Sequence, residues 1–74
     1  EGAPTKKAIK VIFERIETLR QKKGLSFFII EHRLDLLFDF AHWVYGMDKG
    51  RIIVEGKPEK VSASPAFYQA YLGD

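Results

Sequence analysis

Residues 25–30 read Leu25-Ser26-Phe27-Phe28-Ile29-Ile30, a run that is apolar on both faces and rich in β-branched and aromatic side chains. A strand of this kind belongs inside a sheet with layers on either side, because strands that face water on one side alternate polar with apolar residues. The run is far too short to span a bilayer. It therefore demands cover on both faces, and it predicts that a charge placed at Phe28 would be buried and would unfold the chain.

The chain has 74 residues, room for one small domain over residues 1–74, and has no cysteine. A core that small is marginal without a disulfide, a metal or a partner. Disulfides and cysteine-based zinc sites are excluded, and His32 and His42 are too few to form an all-histidine structural site. Stability must come from packing or from association. Twelve basic residues stand against ten acidic ones in mixed order, net +2, and they form no stripe that could track phosphates. No nucleic-acid partner is expected. The N-terminus has no basic region followed by an apolar stretch, so no signal peptide is expected and a cytoplasmic location is the default.

Ile9, Ile12, Phe13, Ile16 and Leu19 recur at helical spacing, with Lys10, Glu14, Arg15, Glu17 and Arg20 mainly on the other side. Pro4 suits the first turn, Lys22 and Lys23 complement the negative end of the helix dipole, and Gly24 supplies a left-handed stop. After the apolar run comes a polar cluster, Glu31-His32-Arg33, at the end where ligands gather in open α/β sheets. A second helix follows, with Leu34, Leu37, Phe38 and Ala41 as its stripe and Leu36 and Phe40 outside it. Asp35 and Asp39 share one exposed face of that helix, too ordinary a spacing for acid/base work. Trp43 to Met47 and Arg51 to Gly56 form a hairpin about Asp48-Lys49-Gly50, and Gly46 marks a bulge or a close approach in its first strand. Pro58 opens a short helix, and Ser64-Pro65 caps and starts a terminal one that Gly73 ends.

The order of these pieces carries a resemblance. Ile29-Ile30-Glu31-His32-Arg33-Leu34-Asp35, then Val44-Tyr45-Gly46-Met47-Asp48-Lys49-Gly50, then Arg51-Ile52-Ile53-Val54-Glu55-Gly56-Lys57-Pro58-Glu59-Lys60-Val61, and the tail from Pro65 to Gly73 occur in sequence. Together they are similar to the C-terminal end of ABC-transporter ATPases, most of all those of branched-chain amino-acid importers. The likeness runs over residues 9–73.

The resemblance implies an α/β fold class, the C-terminal part of a truncated P-loop NTPase, with the order helix, strand, helix, β-hairpin and short helices. It implies that His32 is the family's switch histidine, the catalytic residue that reaches the γ-phosphate of ATP and organises the attacking water. Taken alone, a histidine there is better read as a cap of the strand end or of the next helix, and the surrounding pattern reverses that preference. ATP and Mg belong to the intact parent, whose partner is a transporter membrane subunit at the cytoplasmic side. No cofactor is expected in the isolated chain: it has no Gly-x-x-x-x-Gly-Lys-Ser/Thr loop, no Ser-Gly-Gly signature and no apolar strand ending in Asp-Glu. The family places its catalytic carboxylate after an earlier strand, so Glu31 is expected to be structural beside His32. Gly46 departs from the larger apolar residue usual in the family. The alternative reading is an independently folding α/β module without catalysis. On either reading self-association, as a homodimer or swapped dimer, is expected from an unpaired strand edge.

Overall fold

A computed structural model describes residues 5–72, which fall into two compact units, one running to Phe40 and the other starting at Ala41. The first unit holds α1 (Lys6–Lys23) and α2 (Leu34–Phe40). The start of α1 is set by Thr5, whose hydroxyl accepts the N–H of Ala8 at 3.1 Å and so satisfies one of the first-turn donors. Pro4, expected to serve that turn, lies outside the described residues. At the other end Gly24 adopts φ 66° and donates to the Arg20 carbonyl at 3.0 Å, the left-handed stop that a side chain would strain.

The core of this unit is Phe13, 6 % exposed, and Leu36, 2 % exposed. The Phe13 and Phe40 rings stack with centroids 5.4 Å apart and planes 9° from parallel. α2 thus buries Leu36 and lays Phe40 against the Phe13 ring, and Phe40, like Leu34, Leu37 and Phe38, is half-buried. The stripe expected from spacing is displaced, and the reason is physical. A helix apolar nearly all round has no preferred face of its own, and the aromatic ring on α1 selects one.

Residues 25–30 correct the expected element order. They form no strand: the sheet of the described residues contains only the two hairpin strands, and the run has no regular structure. Phe28 is 81 % exposed and Ile30 80 %. A β-strand is defined by the ladder it shares with a neighbour, and strand-like composition cannot supply a partner backbone. The unfolding expected of Phe28→Asp does not follow either, because a charge at that position stays in water.

The second unit is built on an antiparallel pair, β1 (Val44–Asp48) and β2 (Arg51–Gly56). Asp48 faces Arg51 across a two-residue loop in which Lys49 (φ 52°) and Gly50 (φ 80°) both take positive φ, the pattern of a type I′ hairpin. Gly46 pairs with Val54 but Met47 with Ile52, so Ile53 is the extra residue of a bulge. Helices α3 (Pro58–Ser62) and α4 (Pro65–Leu72) pack on both strands. Ser64 caps α4, accepting the Phe67 N–H at 3.2 Å, with Pro65 at the first helical position as expected.

A hairpin alone is marginal in water, and what closes this unit is Val44, Val61 and Phe67, exposed by 4 %, 0 % and 9 %. Both roles expected of Gly46 are present. It borders the bulge, and a β-carbon there would sit 2.8 Å from Phe67 Cδ1 and 2.8 Å from Val54 Cγ1. The Phe67 ring fills the place of the larger residue that family likeness led us to expect. The described residues therefore combine helices with one small antiparallel sheet.

Candidate functional site

The polar cluster Glu31-His32-Arg33 joins residues 25–30 to α2, and its geometry begins with one carboxylate. Glu31 Oε2 accepts the backbone N–H of His32 at 3.0 Å and that of Arg33 at 2.9 Å. Hydrogen bonds to an ionised acceptor are the stronger kind, and two on one oxygen fix the peptide planes on either side of the His32 Cα. The Arg33 carbonyl then accepts the Leu37 N–H at 3.0 Å, so the helical bonding of α2 starts directly after the histidine.

α2 is held to α1 by the Phe13–Phe40 stack and by an ion pair between Lys6 and Asp35. The hydrogen bond from the Lys6 ammonium pulls the Asp35 carboxyl below its ordinary range. A depressed carboxylate stabilises the fold above its unfolded pKa and loses that contribution as pH falls through the folded one. Both partners are exposed, so solvent screens the pair and its contribution is small.

The cluster rims an open groove of about 500 Å³, whose wall is Ile9, Ile12, Phe13 and Ile16 of α1 together with Ile29, and whose polar edge is Glu31, His32 and Arg33. His32 is exposed there, and Glu31 and Arg33 are half-buried. An imidazole at the edge of a groove can donate to an anionic oxygen. The groove wall itself is apolar, and among the described residues no group of histidine, aspartate or glutamate side chains is placed to hold a metal. The chain also contains no glycine-rich phosphate loop or its lysine. The edge supplies hydrogen-bond donors, on the His32 imidazole and the Arg33 guanidinium.

Comparison with known proteins places these residues. The chain is 40 % identical over 62 residues to a probable branched-chain amino acid transport ATP-binding protein LivG of Archaeoglobus fulgidus, with 84 % of the chain and 24 % of the relative covered. A putative ABC transporter ATP-binding protein of Pyrococcus horikoshii is 36 % identical over 52 residues, 70 % of the chain and 18 % of the relative. The chain belongs to the ABC-transporter ATP-binding proteins. In Escherichia coli K12 the high-affinity branched-chain amino acid transport ATP-binding protein LivG is 29 % identical over 68 residues, 92 % of the chain and 27 % of the relative. The chain thus spans about a quarter of the length of these relatives. No family model matches it, and no solved structure does. No helix among the described residues is long and apolar enough to cross a membrane.

Within this ABC-family stretch, the order of the motifs singles out His32 as a candidate, and nothing in the sequence announces the two backbone N–H bonds that Glu31 accepts around it. Thr5, directly before the apolar-periodic helix, is a legible capping signal.

Proposed function

We propose that residues 1–74 act as the C-terminal part of the nucleotide-binding domain of an importer ATPase, in which His32 is the switch histidine. The imidazole donates to a γ-phosphate oxygen of ATP, where charge must be stabilised as the phosphoryl group transfers, and helps organise the attacking water. Among the described residues no group of side chains is placed to hold magnesium, and the sequence has no phosphate loop. Both would come from the remaining three quarters or so of a protein of the relatives' length, and the isolated chain is catalytically inactive and takes up no cofactor. In the complete protein, hydrolysis would drive solute import through a membrane subunit, with the ATPase on the cytoplasmic face.

One observation carries the reading: His32 stands exposed at the edge of the groove, ahead of α2, within a stretch that matches transport ATP-binding proteins along most of its length. The test follows the His32 ring resonances by NMR while a non-hydrolysable Mg-ATP analogue is added. In a full-length ATP-binding protein carrying this stretch they are expected to shift, and in the isolated chain to stay put. Unmoved resonances in the nucleotide-loaded full-length protein would take His32 away from the phosphate. A shift in the isolated chain would contradict its inactivity.

A second reading has its own support. Phe28 and Ile30 are largely exposed, and residues 25–30 lack a ladder partner among the described residues. Burying large apolar side chains contributes about 1.5–3 kcal/mol each, enough to tip a marginal chain towards pairing with a second copy. As a module without catalysis the chain would then self-associate as a homodimer. Sedimentation equilibrium over a wide concentration range is expected to give a mass rising above the monomer. A monomer mass throughout would refute pairing.

A further inference from the structure

Glu31 has a carboxylate in the right neighbourhood for chemistry, yet its Oε2 is committed to the two amides that flank the His32 Cα, at 3.0 and 2.9 Å. Both bonds tie the side chain to the main chain on either side of the histidine. What the arrangement does well is restrict motion. His32 follows a run without regular structure and is exposed, and the backbone that carries it sets the direction of the Cα–Cβ bond from which the imidazole extends. That backbone is held at one end by the first helical bond of α2, from Leu37 to the Arg33 carbonyl, and at the other by Glu31.

We propose that Glu31 is a positioning residue for His32: its carboxylate clamps the two peptide planes around the histidine so that the imidazole is aimed before nucleotide arrives. The proposal rests on the switch-histidine reading given above. Pre-orienting a reacting or stabilising group lowers the barrier because the ordering cost is met in advance, and a displacement of about 1 Å at such a group can cost roughly 100-fold in rate. The requirement is for an acceptor oxygen, not for a charge. Glutamine at this position, of nearly the same length, keeps an oxygen where Oε2 lies; alanine removes it.

The experiment has two arms on the same variants, Glu31→Gln and Glu31→Ala. In the isolated chain, NMR reads the amide protons of His32 and Arg33, which are expected to move upfield in Glu31→Ala and to stay near their original positions in Glu31→Gln. In a full-length ATP-binding protein carrying this stretch, Glu31→Ala is expected to lower kcat about 10- to 100-fold with KM for ATP little changed, and Glu31→Gln to restore most of it. His32→Ala runs alongside as the control. If His32→Ala is impaired and Glu31→Ala turns over normally, the positioning role is overturned and the histidine reading stands. If Glu31→Gln keeps the amide shifts but is as impaired as Glu31→Ala, the carboxylate acts by its own proton chemistry and the proposal is wrong. If His32→Ala turns over normally, the histidine reading fails and the proposal falls with it.

Discussion

Phe67→Ala is expected to abolish the cooperative melt of the unit that starts at Ala41. Phe67 is the one large side chain in that unit's buried set, beside Val44 and Val61, and it does three jobs. It fills the space that Gly46 leaves open, it meets Tyr68 edge-on with centroids 5.2 Å apart, and it stacks on Tyr71 at 6.0 Å. Truncating a buried phenylalanine costs about 3–5 kcal/mol, the transfer free energy of the ring plus the cavity it leaves. A core this small rarely supplies more than about 3–5 kcal/mol in all, so the loss matches the whole margin. Near-ultraviolet circular dichroism, which reads Trp43 and the tyrosines, is the suitable probe. Tyr71→Ala makes the comparison, since Tyr71 is 48 % exposed and its truncation should cost far less. A Phe67→Ala melt as sharp as that of the unsubstituted chain would mean that Val44 and Val61 hold the unit without the ring.

The same unit shows why some of the fold could be read in advance. Its hairpin depends on neighbours in sequence: Lys49-Gly50 adopts the positive φ values a tight turn requires, and Ser64-Pro65 begins α4 with a cap and a ring-fixed φ. The bulge and close approach at Gly46 were also legible, because a glycine inside a strand signals one or the other. The chain could not show by its spacing that Phe67 occupies the gap, since that contact joins residues far apart in sequence.

Residues 25–30 failed as a strand for a related reason. Their composition states what they would prefer to pair with, and pairing is a property of two segments. α2 failed at the level of its face, because Leu34, Leu36, Leu37, Phe38 and Phe40 offer several apolar stripes and only the Phe13 ring decides among them. At the candidate site motif order singles out His32 as a candidate. The clamp from Glu31 was not legible, since it runs from a side chain to the main chain and leaves no periodic mark.

His32 is tested most directly by one measurement: steady-state ATP turnover by His32→Ala in a full-length ATP-binding protein carrying this stretch. His32 is exposed and Leu36, just beyond it, holds the core of its unit, so the substitution should leave the melt unchanged. Losing a donor aimed at developing charge typically costs about 10²–10³ in kcat. The expected result is a loss of that order with nucleotide still bound. Turnover equal to that of the unsubstituted protein, at an unchanged melting temperature, would contradict the assignment of His32 as the switch histidine.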